Sequence, residues 1–439
     1  MSFTILPPVA PPEPTPSASP TVEGTVYGLT DPTRVAIGKA ATQNLASFTH
    51  STIVGPDAAF SLAVADQSVV VGNGAASLAS ALQNSVAIGH NADLDGNAVD
   101  SISIGSSVTA YRNLTSCIAI GKLAMSYGSH IDSSPVATSN SIALGNSAMQ
   151  RHFGQNNIAI GISSLLGKGG DWTSNIASKN IAIGTESQYT SLDGSDNVSI
   201  GYRSLYSNQT GSLNIAIGSN ALYSNVSGSW NVAIGDIAGQ NITTASANTL
   251  VGRYSGQQLT TGESNTAIGY AAFANATTAT ECVAVGISAL SQGTATANVI
   301  AIGNYAQPST ATAQNEIVLG NYSITTLRCN ATTITSLSDE RDKDNIVDIG
   351  YGLSLINSLK PVKFTWNMRN GAKTGIKDIG FTAQDLMDVE DALNAHEELR
   401  LTHRANPDAL EASYGRLIPV LVKAIQELSS EIQELKAAA

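Results

Sequence analysis

The sequence predicts a mainly β protein, in which a long parallel β-solenoid is followed by an α+β domain that ends in a coiled-coil helix. Two observations carry this prediction. A tetrapeptide made of a β-branched residue, a small or apolar residue, an aliphatic residue and glycine recurs seventeen times between residues 35 and 320. Charged residues rise from 27 of the first 337 positions to 29 of the last 102, which marks a boundary near Ser338.

The repeat is anchored on its glycine. Successive repeat glycines are 16 or 17 residues apart except at two insertions, in 122–144 and 162–183. The residue three before each glycine is always Val, Ile or Thr, and the residue one before is always Ile, Val or Leu. This alternation is typical of a strand with two different faces. A coil of this length suits two strands of about five residues and two turns.

The interior of the solenoid follows from the same alignment. Adjacent coils are expected to pair as parallel strands about 4.8 Å apart, and stacking buries the faces that one coil cannot bury alone. The repeat glycine is expected where a Cβ would obstruct the backbone. Asn often precedes the strand, as at Asn197 and Asn214, where it favours a turn and can stack as a ladder. Cys117 and Cys282 fill one repeat position, which is typical of small buried side chains and not of a disulfide framework.

Runs such as NSVAIGHNA (84–92), NIAIGSNAL (214–222) and NVAIGDIAG (231–239) resemble the head repeats of trimeric autotransporter adhesins. In that family such repeats form a left-handed parallel β-roll in which three chains associate along one axis. The resemblance therefore implies a homotrimeric solenoid of the left-handed β-roll type. A disordered Gly/Ser/Ala-rich tract is disfavoured by the apolar residue in every rung, and a β-propeller by the short period.

The last hundred residues follow a different pattern. Residues 346–358 have helical periodicity, Val362–Trp366 are expected to form a strand, and Asn370-Gly371 suits a hairpin connection to Ile379–Gln384. From about Arg416 a heptad pattern predicts a coiled-coil seam, and therefore an oligomerisation element. A lone amphipathic helix docked on its own domain is the alternative. Ile and Leu at the seam positions favour two strands by rule, but we expect a trimer because the seam is short. The seam residues are Ile418, Leu421, Ile425, Leu428, Ile432 and Leu435.

Four motifs in this region resemble the C-terminal intramolecular chaperone of phage tail spikes and fibres, of the endosialidase type. They are LSDERDKDNI (337–346), LKPVKFTWN (359–367), IGFTAQDL (379–386) and SYGRLIPVLVKAIQEL (413–428). In that family the domain trimerises, directs folding of the fibre upstream and then cuts itself free. The resemblance implies cleavage of the Leu337–Ser338 bond, with Ser338 as nucleophile, Lys343 as general base, and Asp339, Arg341 and Asn345 in support.

The catalytic roles assigned to Ser338 and Lys343 depend on the surroundings of these side chains. A serine hydroxyl needs a base, and a lysine can serve when its pKa is lowered by burial or nearby cations. Asp342 stands where the family usually has an apolar residue. The alternative is that Ser338 begins a helix as its N-cap while Lys343 is solvated.

Together these observations predict four segments and a virion fibre. The segments are a Pro-rich attachment segment (1–30), the solenoid (31–322), a β-rich stem with the cleavage site (323–337) and the chaperone domain (338–439). We expect a phage tail fibre made in the host cytoplasm and located in the virion. It would bind a baseplate or other virion protein through its N-terminus and a host glycan or protein receptor. A bacterial surface adhesin, a glycan-degrading tailspike and a purely architectural fibre are the alternatives.

Several classes of partner are not expected. The net charge of −12 without a basic cluster argues against nucleic-acid binding. No secretory signal and no run of 18 apolar residues is present, so membrane insertion is not expected. The six histidines are scattered without metal-ligand spacing, so neither a metal nor a cofactor is predicted.

Overall fold

A computed structural model describes residues 26–27, 35–38, 41, 47–77, 79–94, 96–110, 114–126, 138–167, 175–324, 326–328, 338–369, 371 and 373–438. The chain divides into two compact units, Met1–Asn214 and Ile215–Ala439. Apart from Val26–Tyr27, the expected attachment segment lies outside the described residues, as do parts of both insertions and most of the expected stem.

The first unit is a stack of short parallel strands, one for each of its ten repeat tetrapeptides. Neighbouring tetrapeptides pair residue for residue, as in Ile102↔Ile118 and Ala143↔Ala159. The strands are β1 Val26–Tyr27, β2 Val35–Ile37, β3 Ser47–Thr49, β4 Thr52–Val54, β5 Val64–Asp66, β6 Val69–Val71, β7 Ala79–Gln83, β8 Val86–Ile88, β9 Asp93–Leu94, β10 Gly96–Val99, β11 Ile102–Ile104, β12 Thr109–Ala110, β13 Ile118–Ile120, β14 Ile142–Leu144, β15 Ile158–Ile160, β16 Ile181–Ile183 and β17 Val198–Ile200. A second parallel ladder joins β3, β5, β7 and β10, and β1 runs antiparallel to β2.

The main ladder strands of this unit are three residues long, shorter than the five expected. The rest of each coil turns at residues with a left-handed backbone, such as Asp57 (φ 53°) and Ala59 (φ 55°). The rung glycines share this handedness. A Cβ on Gly55 (φ 137°) would overlap the carbonyl oxygen of Gly72 in the next coil, which confirms the close approach expected at this position.

In most described coils of the first unit, the residue before the main strand belongs to a hydrogen-bonded column. The backbone N–H of Ser68 donates to Ser51 Oγ at 2.9 Å, and that of Asn180 donates to Asn157 Oδ1 at 2.8 Å. The side-chain amide of Asn197 also donates to Asn180 Oδ1, at 3.1 Å. The predicted Asn ladder is confirmed, and serine performs the same role in the earlier coils, which the sequence did not indicate.

The second unit begins with seven further strands of the same kind, paired in parallel and in register. They are β18 Ile215–Ile217, β19 Val232–Ile234, β20 Thr249–Val251, β21 Thr266–Ile268, β22 Val283–Val285, β23 Ala297–Ile302 and β24 Gln314–Leu319. The Asn column recurs, with Asn248 N–H donating to Asn231 Oδ1 at 3.1 Å. It passes to Cys282, whose N–H donates to Asn265 Oδ1 at 3.0 Å. The first three residues of every repeat tetrapeptide therefore lie in a strand, and both Cys117 and Cys282 are buried free thiols.

The second unit ends in a small α+β region. Its elements are a 3₁₀ turn Glu340–Asp342, α1 Leu353–Ser358, β25 Val362–Asn367, β26 Thr374–Gly380, α2 Ala383–Ala392, α3 His396–Leu399, β27 Thr402–His403, β28 Glu411–Ala412, a 3₁₀ turn Tyr414–Arg416 and α4 Leu417–Ala438. β25 and β26 form an antiparallel hairpin. Leu355, Leu386, Leu401, Leu417 and Val420 are buried in one apolar core.

A fully buried carboxylate organises one side of this region. Glu390 on α2 accepts hydrogen bonds from His396 Nδ1 (3.0 Å), Arg404 Nη2 (2.8 Å), the Thr402 hydroxyl and the Leu401 backbone N–H. Burial alone would raise its pKa, but these four donors hold the pKa below its usual value. The carboxylate therefore ties the chain from His396 to Arg404 onto α2.

Candidate functional sites

The segment after the predicted boundary folds into a tight turn around Asp339. The Asp339 side chain caps the 3₁₀ turn by accepting from the Arg341 backbone N–H at 2.9 Å. At the other end of the turn, the Lys343 N–H donates to the Glu340 carbonyl oxygen at 3.1 Å. A single turn thus brings the residues on either side of it, Ser338 and Lys343, close together.

Ser338 and Lys343 are in direct hydrogen-bond contact. Lys343 Nζ lies 2.6 Å from Ser338 Oγ and 3.1 Å from the Ser338 carbonyl oxygen. Both side chains are exposed in the single chain. Nucleophile and base within hydrogen-bond reach is the geometry that proton abstraction from a serine hydroxyl requires. The other side of the expected scissile bond, Leu337, lies outside the described residues.

Of the three supporting residues, Asp339 and Arg341 pair with each other. Arg341 donates to the two carboxylate oxygens of Asp339 from Nε at 3.0 Å and from Nη2 at 2.6 Å. These bonds hold the pKa of Asp339 below its usual value. Asn345 has a left-handed backbone (φ 55°). The Asp339 carboxylate therefore balances much of the positive charge of the Arg341 guanidinium, and this charge does not act on the Ser338–Lys343 pair alone.

Helix α4 carries two apolar faces. Leu417, Val420 and Ala424 are buried against the domain. The six residues of the predicted seam all lie on the outside of the single chain, with exposed fractions from 41% to 70%. The structure thus gives α4 one face docked on its own domain and a second apolar face that is uncovered, and the coiled-coil seam stays a prediction.

The solenoid strands also leave apolar side chains uncovered. In every tetrapeptide but the last, the second residue, most often Ala, points into the coil and is buried, while the residues on either side of it point outward; in the last one Val318 is only partly buried. We call these outward residues the outer strand face. In the first unit Val35, Val69 and Ile120 are 37–39% exposed, and in the second unit Ile215, Ile234 and Ile302 are 37–44% exposed. The large side chains, and not the Ala/Ser side of the strand, therefore form the surface available to another chain.

The remaining sequence features add no metal site. Within the described ranges no group of three or more His, Cys, Asp or Glu side chains is placed to hold a metal ion. No helix in the part of the chain that the structure describes is long and apolar enough to cross a membrane. The Glu390 cluster was not predicted, because its members are spread over fifteen residues without a recognisable spacing.

Comparison with known proteins identifies a family similarity in part of the C-terminal region. Residues 338–396 match the family model for the chaperone of endosialidase. The match begins at Ser338, the residue at which the charge density of the sequence changes. A search of curated proteins and a search of solved structures each found no match. A parallel β-solenoid followed by this chaperone domain is consistent with a protein of the tail fibre or tailspike type.

Proposed function

We propose that the protein is a homotrimeric phage tail fibre that is folded by its own chaperone domain and then cleaved between Leu337 and Ser338. The observation that carries the proposal is the 2.6 Å contact between Lys343 Nζ and Ser338 Oγ at the first residue of the chaperone match. Its position between solenoid and chaperone domain is where a cut would release the finished fibre.

The proposed reaction uses two side chains and one water molecule. Lys343 takes the proton of the Ser338 hydroxyl, and Oγ attacks the carbonyl carbon of Leu337. The bond from that carbon to the Ser338 nitrogen breaks, the nitrogen gains a proton, and an ester to Oγ remains. Water then hydrolyses the ester, which leaves a carboxylate on Leu337 and a free amine on Ser338. The domain acts once, on its own chain.

Replacing Ser338 by Ala tests the cleavage. Wild-type protein should separate into products 1–337 and 338–439, whereas Ser338→Ala should give one full-length chain by denaturing electrophoresis and intact mass. Lys343→Arg should also abolish cleavage, since arginine keeps the charge but does not act as a base. Ser430→Ala, on the exposed part of α4, is the control and should cleave normally. Equal cleavage in wild type and Ser338→Ala would refute the proposal.

The proposal of a trimer is based on apolar side chains that are uncovered in the single chain. Contiguous exposed apolar patches on a soluble protein usually mark an interface. Both the outer strand face and the seam of α4 have this character, and both repeat along an axis as a bundle of identical chains requires. The outer strand face is β-branched in almost every coil, which suits close packing between sheets.

Adsorption to the host is the role we assign to the assembled fibre, with attachment to the virion through residues 1–30. Purified trimer should bind host cells and compete with phage adsorption, and soluble host glycan should reduce that binding if the receptor is a carbohydrate. Release of glycan fragments from the cells would instead support a depolymerising tailspike. Absence of any binding would leave an architectural fibre.

A further inference from the structure

The chaperone domain has an apolar groove beside α4. It has a volume of about 690 Å³, and its walls come from the end of α1, the hairpin and the start of α4, including Leu359, Val362, Phe381 and Leu417. Ile379, on one wall, is 77% exposed. Lys363 is the single charged side chain in the lining. The groove is thus a ready site for apolar side chains accompanied by a negative charge.

The same domain carries an apolar segment that is uncovered. Ile346, Val347 and Ile349 follow the Ser338–Lys343 pair and precede α1, and their exposed fractions are 62%, 80% and 40%. Asp344 precedes these side chains and Asp348 lies between Val347 and Ile349; both aspartates are exposed as well. Among the described residues no ion pair involves either aspartate or Lys363. In the single chain, then, the segment is exposed while the groove is open.

We propose that residues 346–349 of one chain occupy the groove of a neighbouring copy, with Asp348 beside the neighbour's cationic rim at Lys363. The proposal rests on the homotrimer proposed above. Apolar side chains in an apolar groove and opposite charges at its rim make the two surfaces complementary. They are also different surfaces, and a closed ring of three copies needs such a head-to-tail contact, with each chain giving one surface and receiving the other.

The arrangement has a consequence for the cleavage site. Three residues separate Lys343 from Ile346, and an extended chain covers about 3.6 Å per residue. The Cα atom of Ile346 therefore lies within about 11 Å of that of Lys343. The part of the neighbour's groove that holds Ile346 would then lie close to the Ser338–Lys343 pair.

Disulfide cross-linking between differently tagged chains tests the contact. Full-length Val347→Cys and Ile379→Cys chains, made uncleavable by Ser338→Ala and each with Cys329→Ser and a distinct C-terminal tag, are co-expressed and oxidised; Cys117 and Cys282 are buried. We expect a cross-linked band that contains both tags. A chain with Glu397→Cys, exposed on α3 and outside the groove, replaces Ile379→Cys as the control and should give no such band.

The outcomes separate this proposal from the one on which it rests. A protein that is trimeric by native mass but gives no cross-link above the control would overturn the docking and leave the trimer intact. A monomer by native mass would overturn both. As a second measurement, Lys363→Glu and Asp348→Lys should each lower the yield of the Val347–Ile379 cross-link several-fold, and the double variant should restore it. A double variant no better than the single ones would contradict the pairing.

Discussion

His152 occupies a position where several other coils carry an aliphatic side chain. It lies seven residues after Gly145, and Leu62, Ile242 and Leu259 have the same offset from their own rung glycines. The imidazole is completely buried, and its Nδ1 accepts the Gly154 backbone N–H at 3.2 Å. Burial lowers the pKa of His152 to about 3. The histidine is therefore neutral in the folded chain.

Acid should weaken the coil around His152. Its folded pKa lies below the unfolded value of 6.5, so the unfolded chain binds the extra proton first. The contribution of neutral His152 to the free energy of unfolding is fully present above about pH 6.5. It falls as the pH drops toward 3, by up to about 1.4 kcal/mol per pH unit. Hydrogen exchange of peptides within 141–160 should rise between pH 7 and pH 4.5 after correction for intrinsic rates. His152→Leu should remove most of this rise, and exposed His50→Gln should not; an unchanged rise in His152→Leu would contradict the assignment.

At the scale of the residue, the sequence predicted the positions that recur from coil to coil and missed the buried polar residues that occur only once. The glycine and Asn columns were visible because each recurs at a fixed offset. His152 and Glu390 occur once each, and burial of a single polar side chain depends on which neighbours surround it in space. For the Ser338–Lys343 pair the resemblance named the two residues, and the turn capped by Asp339 supplied the contact between them.

Helix α1 takes its N-terminal cap from another helix. Gly352, at its N-cap, has no side chain to offer, and the Leu353 N–H donates instead to Glu427 Oε2 of α4 at 2.7 Å. The negative carboxylate at the start of α1 is favourable for both the free N–H groups and the helix dipole. Glu427 thus points toward its own domain.

Removal of this cap should destabilise the chaperone domain. Glu427→Ala is expected to cost about 1 kcal/mol, the typical worth of a helix cap, whereas Glu427→Gln keeps an acceptor and should cost less. The measurement is the thermal unfolding of the domain within the full chain made uncleavable by Ser338→Ala. Glu431→Ala, one turn further along α4 and exposed, serves as the matched control. Equal losses in Glu427→Ala and Glu431→Ala would show that the cap is dispensable.

At the scale of the element, the strongly periodic segments were predicted best. α4 begins at Leu417, close to the expected Arg416, and β25 matches the predicted strand. The helix expected over 346–358 forms only from Leu353, because Gly350 and Gly352 disfavour its first half. The second hairpin strand was expected at 379–384 and lies at Thr374–Gly380, since Thr382 caps α2 and ends the extended segment.

At the scale of the whole molecule, the solenoid coils present their larger apolar side chains to solvent in the single chain. Alternation in the tetrapeptide predicted two faces, but not which of them would turn inward. The interior of the coil is narrow, so the small central residue fills it, and the larger residues on either side remain outside. The handedness of the coil stays a prediction of the resemblance.

A charge placed on the outer strand face should prevent assembly. Ile234 is 38% exposed in the single chain. If that surface stays in water, Ile234→Asp should change stability by no more than about 0.5 kcal/mol. If it is buried against another copy, an unpaired carboxylate there costs several kcal/mol, and trimers should be lost or aggregate. Trp230→Asp, on an exposed turn of the same coil, should leave the trimer mass unchanged. Trimers of normal yield from Ile234→Asp would exclude this face as the interface.

The column of rung glycines sets a rule for how such a protein can vary. Within each unit, most rung glycines leave room for the carbonyl group of the glycine in the next coil, so these coils match one another at this point. Deletion or insertion of a whole coil, such as 232–248, would still place the rung glycine of one coil opposite the rung glycine of the next. Loss of a few residues would instead set a Cβ against a carbonyl. Fibre length should therefore change in discrete steps of one coil, about 4.8 Å each, and related genes should differ in the number of their coils more readily than in the length of any one of them.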